Sequence, residues 1–124
     1  MQLKLDCVRE VMLQLEKCAK NENSDVKLLN KALPEFSEDD IQYTCLKLHE
    51  AGYIDAYVKL RPSIDRNEVH WITGITFQGH EFIAAIKDPK MWAKIKTVCS
   101  EIGSYTVTTI LEISNRMAQN QLSP

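Results

Sequence analysis

Two His-Glu pairs begin like the helix motif of a zinc protease, in which two histidines one turn apart share a face and converge on the metal. His80-Glu81 would need its second histidine where Ala84 stands, and His49-Glu50 where Tyr53 stands. The cysteines offer no substitute. Cys7, Cys18, Cys45 and Cys99 contain no Cys-x-x-Cys, and all four fall in helical patterns, which reads as core thiols rather than as ligands or disulfides. Gly52, Gly74, Gly79 and Gly103 are scattered singly, so no glycine-rich phosphate loop exists, and no nucleophile-elbow pattern is present. His80 reads instead as a residue that caps or orients a strand-to-helix junction, with Glu81 favoured in the first turn by the helix dipole. The chain is therefore read as non-enzymatic, with no catalytic residue, metal or cofactor expected.

The other chemistry open to these side chains is recognition. In the segment SEDDIQYTCLKLHEAGYI, Ser37 to Ile54, Ile41, Cys45 and Leu48 share one helical face, which leaves Gln42, Tyr43, Leu46, Lys47 and Glu50 outward. Were this the second helix of a helix-turn-helix, Gln42 could pair with adenine and Lys47 could reach guanine or a phosphate. Lys59, Arg61 and Arg66 follow on a hairpin, where they suit phosphates or the minor groove. The candidate DNA contacts are thus Gln42, Tyr43, Lys47, Lys59, Arg61 and Arg66. Against them stand Glu38, Asp39 and Asp40 at the end that would enter the groove, facing phosphates whose neutralisation by Lys and Arg supplies most non-specific affinity. Tyr43, Leu46, Tyr53 and Tyr57 offer the alternative, an outward aromatic and aliphatic surface suited to a protein partner.

The elements that must position these groups are legible along the chain. Asp6 is placed to cap a first helix with the stripe Val8, Val11, Met12, Leu15 and Ala19. A polar loop from Lys20 to Ser24 follows, then a short helix opened by Asp25 and stopped at Pro34. Phe36 precedes the Ser37 cap as a hydrophobic staple, and Asp40 completes the Ser-x-x-acid start of the third helix, which runs to about Ala51. Tyr53 to Leu60 alternates as a half-buried strand, with Ile54, Ala56, Val58 and Leu60 on one face and Tyr53, Asp55, Tyr57 and Lys59 on the other. After a polar loop from Arg61 to Glu68, Val69 to Thr76 returns as a second strand with Trp71, Thr73 and Ile75 on one side. Thr76 and Asp88-Pro89 then start two further helices, the second using Trp92, Ile95, Cys99 and Ile102 and ending at Gly103. Ser104 or Thr106 opens a last one bearing Val107, Ile110, Leu111 and Met117, and the tail from Gln119 to Pro124 is expected to fray. The expected fold is α+β and mostly helical: a winged helix-turn-helix with a two-stranded hairpin wing and a C-terminal helical extension.

The stretch from Trp71 to Lys96 resembles a bacterial and phage family of unknown function that includes the YjcQ-like proteins. Thr76, Gly79, His80, Glu81, Phe82 and Trp92 match its pattern in spacing. The resemblance implies a winged-helix fold and carries no activity with it. Thr44 departs from the pattern, which has a histidine there in many members.

With 124 residues, one domain is expected over 1–124, its core at about 5–87 and its C-terminal helices at about 88–119. The net charge of −2 is unlike the basic excess of most nucleic-acid binders, and the main basic run, Lys87, Lys90, Lys94 and Lys96, reads first as a solvated helix face. No apolar run could span a membrane and no signal segment precedes the first helix, so a cytoplasmic protein is expected. Two functions fit: a DNA-associated regulatory protein of bacterial or phage origin, bound to double-stranded DNA, or a winged helix repurposed for protein binding. A homodimer through the helical extension is open to either.

Overall fold

The computed structural model describes residues 2–18, 22–63 and 66–122, with the side chains of Arg66 and of 119–122 outside that description. Ala19, Lys20 and Asp65 lie outside the described residues. Six helices and one hairpin follow in the order α1 (Leu5–Glu16), α2 (Val26–Ala32), α3 (Glu38–Glu50), β1 (Ile54–Arg61), β2 (Arg66–Ile75), α4 (Phe77–Ile86), α5 (Pro89–Ile102) and α6 (Val107–Leu122). The arrangement is winged-helix-like, α+β and mostly helical, with a C-terminal helical extension. Its topology includes a feature absent from the sequence reading. Ser24, between α1 and α2, makes a one-residue antiparallel bridge to Ile72, so β2 has a neighbour on both sides.

Most helix starts are where the capping chemistry puts them. Asp25, Ser37, Thr76 and Asp88 each accept a hydrogen bond from a backbone N–H of the first turn they cap. Thr106 does the same for α6, accepting from the Thr109 N–H at 3.1 Å. At Gly103 the backbone turns left-handed (φ 69°), a conformation that costs glycine no steric clash, and α5 ends. The first helix is different: it begins one residue before Asp6, with Lys4 at the cap position and no side-chain cap bond. Asp6 instead accepts from Trp92 Nε1 at 2.9 Å and pairs with Lys96 at 3.1 Å, which fastens α1 to α5. The last helix also exceeds its expected end, continuing to Leu122.

The buried residues form one core cluster from Leu3 to Ile113, to which all six helices and both strands contribute. Val8, Val11, Met12, Ile41, Cys45, Leu48, Phe82, Ile83, Ile86 and Ile95 are fully enclosed. Thr44 is enclosed too, donating from Oγ1 to Cys7 Sγ at 3.3 Å, so α3 buries a polar position the apolar stripe did not include. Ile102, expected on the α5 stripe, is 59% exposed.

The hairpin departs from simple alternation. Register runs Ile54–Ile75, Asp55–Gly74, Ala56–Ile72, Tyr57–Trp71, Val58–Val69, so Thr73 and His70 are extra residues on β2. Each is a bulge, two residues facing one. The bulges convert the period of two into three, and Val69, Ile72 and Ile75 all turn toward the core while Trp71 and Thr73 face out. The grouping of Trp71, Thr73 and Ile75 on one side is therefore corrected. Tyr53 is corrected as well. It precedes the strand, is 7% exposed, and stacks on Phe82 with centroids 4.8 Å apart instead of joining an outer face.

Candidate functional site

The candidate recognition residues start on α3, and two of its outward side chains, Gln42 and Lys47, are tied into the protein itself. Gln42 turns to the sheet. Its Oε1 accepts from the Val69 N–H, and its Nε2 donates to the Val69 carbonyl at 3.2 Å, so its amide acts as one peptide unit of a third strand. The His70 bulge makes this possible, because it sets the outward N–H and C=O of Val69 three residues from those of Ile72, which Ser24 occupies. Lys47 lies over the Tyr43 ring, 5.4 Å from its centroid, and pairs with Glu50 at 3.0 Å. Tyr43, Lys47 and Glu50 form one wall of a groove of about 690 Å³ whose other wall includes Leu3 and Tyr105. The turn into α6 thus stands beside the helix face that a major groove would have to admit. Leu46 is half-buried against the core.

The acidic start of α3 is partly neutralised. Asp40 holds Lys4 at 2.7 Å, and that bond keeps its carboxyl below the usual carboxylate range. Glu38 and Asp39 stand exposed. Three of the candidate basic groups are partnered in the same way. Arg61 holds Glu68 across the hairpin at 2.8 Å, Lys87 holds Glu16 at 3.2 Å, and Lys96 holds Asp6. Of the run in 87–96, Lys90 and Lys94 are exposed and make no ion pair among the described residues. Lys59 is exposed on β1, opposite Glu68. The Arg66 side chain lies outside the described residues.

The groups considered for catalysis are also placed. His80 and Glu81 are exposed at the start of α4, where Thr76, not His80, makes the junction: it caps Gly79 N–H and donates to the Gly52 carbonyl at 2.6 Å. Cys7, Cys45 and Cys99 are buried, and burial pushes each thiol up, away from the reactive thiolate. Among the described residues no three His, Cys, Asp or Glu side chains are grouped to hold a metal ion.

The outer face of the wing is legible from sequence only in part, through Tyr57 and not through Trp71 or His70. Tyr57 and Trp71, paired across the hairpin, stack with centroids 4.6 Å apart and planes at 12°, and remain 49% and 38% exposed. His70 joins them from the bulge, tilted against Trp71 at 4.8 Å. In an unbulged strand His70 and Trp71 would point to opposite faces; the extra residue is what gathers three rings on one. Val69, Ile72 and Ile75, apolar at every third position of a strand, were the signal of it.

The chain matches, over residues 2–105, the model of a family described as "Hypothetical protein (DUF2513)". It belongs to that family. The match spans the stretch from Trp71 to Lys96, and the membership it shows is in a family of unknown function. An "Uncharacterized protein" of Haemophilus influenzae is 29% identical over 121 residues, which cover 95% of this chain and 92% of that one. No solved structure matches.

Proposed function

We infer that this member of the family is a non-enzymatic winged-helix module that works by binding another protein molecule through its wing, and does not read DNA with α3. The observation that carries this reading is a contrast. The base-reading positions of α3 are engaged internally, Gln42 on Val69 and Lys47 on Tyr43 and Glu50, while the wing leaves a stacked Tyr57–Trp71 pair in solvent. Rigid aromatic side chains give large contact area at small entropic cost, which is why such residues dominate protein interfaces. A major-groove reader would have to break the Gln42 amide pair and leave the Val69 N–H and carbonyl without a partner. The wing's Arg61 would likewise have to leave Glu68.

Titration of mixed genomic duplex by fluorescence anisotropy tests the choice. The reading predicts no saturable binding at low salt. Binding that collapses between 50 and 200 mM salt, by roughly 10³-fold or more as for a many-phosphate contact, and that weakens in Lys47→Ala or Arg61→Ala, would restore the DNA-associated regulatory reading.

A further inference from the structure

β2 has partners on both sides, β1 along its length and Ser24 and Gln42 at Ile72 and Val69. The far edge of β1 has no such neighbour. Among the described residues no strand or bridge pairs with it. An eight-residue edge of this kind leaves alternate N–H and C=O groups for water or for another strand.

The side chains along that edge are self-complementary about Val58. Asp55 lies three residues before it and Arg61 three after; Tyr57 and Lys59 flank it; Ala56 and Leu60 stand two away. We propose that β1 pairs antiparallel with β1 of a second copy, centred on Val58, making a four-stranded sheet β2–β1–β1–β2 across a two-fold axis. The proposal rests on the reading of the wing as a protein-binding surface, and names its partner.

In that register Asp55 faces Arg61 of the second copy, Tyr57 faces Lys59, and Ala56 faces Leu60, each contact made twice. A two-fold interface demands one patch that complements itself, and this strand supplies it. Leu60, 54% exposed, gains an apolar neighbour it lacks in one copy. Arg61 already holds Glu68, but its side chain is 56% exposed, and a guanidinium has five N–H donors, enough for both carboxylates. A lysine on an edge ordinarily discourages pairing; here Lys59 meets the ring of Tyr57, a face that attracts a cation. Centring the axis on Tyr57 instead would set Arg61 opposite Tyr53, which is buried before the strand begins.

Light scattering coupled to gel filtration, at rising protein concentration, tests this with a charge swap. The wild-type chain is expected to move from 14.2 kDa toward twice that mass. Asp55→Arg and Arg61→Asp are each expected to remain monomeric with an unchanged circular-dichroism spectrum, and the double variant to recover the dimer. A wild-type chain that stays monomeric overturns the proposal, as does a dimer indifferent to the two single changes. Either result leaves the protein-binding reading standing, since that reading falls only if DNA is bound.

Discussion

At the scale of single residues, the sequence showed chemistry more readily than contact. Gly79 is the clearest case. Its backbone is helical, so no special dihedral requires glycine; what requires it is the approach of α4 to the turn between α3 and β1 and to the end of β2. A Cβ there would run into the Tyr53 carbonyl and lie 2.7 Å from Ile75 Cγ2. Gly79→Ala is therefore expected to destabilise the fold by about 1–3 kcal/mol, as overpacking does, and urea unfolding measures it. Asp6 gives a second test. The Trp92 indole bond, aided by Lys96 and Arg9, holds its carboxyl below the ordinary value of 3.8. A carboxyl lowered on folding stabilises fully above that ordinary value, and the contribution is lost as pH falls below it through the folded value. Trp92→Phe removes the donor, and an NMR titration is expected to show Asp6 moving up toward 3.8. An unmoved Asp6 would mean that the lysine, not the indole, governs it. Asp6 looked like a cap because a short acid at the head of an apolar stripe ordinarily is one; its partner is 86 residues away, and no local pattern encodes that.

At the scale of elements, legibility followed the range of the forces involved. The caps at Asp25, Ser37, Thr76 and Asp88, and the Gly103 stop, are bonds within one turn, and each was readable from spacing alone. The hairpin was readable as a hairpin, but not its faces. Alternation assumes one residue opposite one, and the bulges at His70 and Thr73 break that count twice in five residues. Hence spacing alone groups Trp71 with Ile75 and shows only half of the aromatic face. The contact of Gln42 escapes local pattern for a related reason. Helix periodicity sets it outward correctly, but outward of α3 at that level is the edge of β2, not solvent. Gln42→Ala is expected to lower stability by about 1–3 kcal/mol, because the Val69 N–H and carbonyl lose a partly buried partner. Amide exchange at Val69 should accelerate more than at Ile72, which Ser24 still holds. Equal protection of Val69 in the variant would contradict the edge-closing role.

At the scale of the whole molecule, the C-terminal helices belong to the same core as the winged-helix-like portion. Val107, Ile110 and Ile113 of α6 sit in one cluster with Phe82, Ile86 and Trp92. Burying each such side chain stabilises by roughly 1.5–3 kcal/mol, so three of them amount to a large share of the 5–15 kcal/mol typical of a whole domain. A chain ended after Gly103 is accordingly expected to lose its cooperative thermal transition; a truncated chain melting as sharply and as high as the full one would show α6 to be an appendage. The same extension brings Tyr105 beside Tyr43 and Lys47, which narrows access to α3 from outside. Position and use separate at this scale: α3 stands where the second helix of a helix-turn-helix would, while its Lys47 and its Gln42 amide are engaged within the protein.

That separation is tested most directly by amide NMR spectra of the ¹⁵N-labelled chain at low salt, with and without mixed duplex DNA. With Gln42 and Lys47 engaged internally, the amides of α3, from Glu38 to Lys47, are expected to keep their positions throughout the titration. Progressive shifts confined to those amides and to the wing would show α3 entering the duplex and would contradict it.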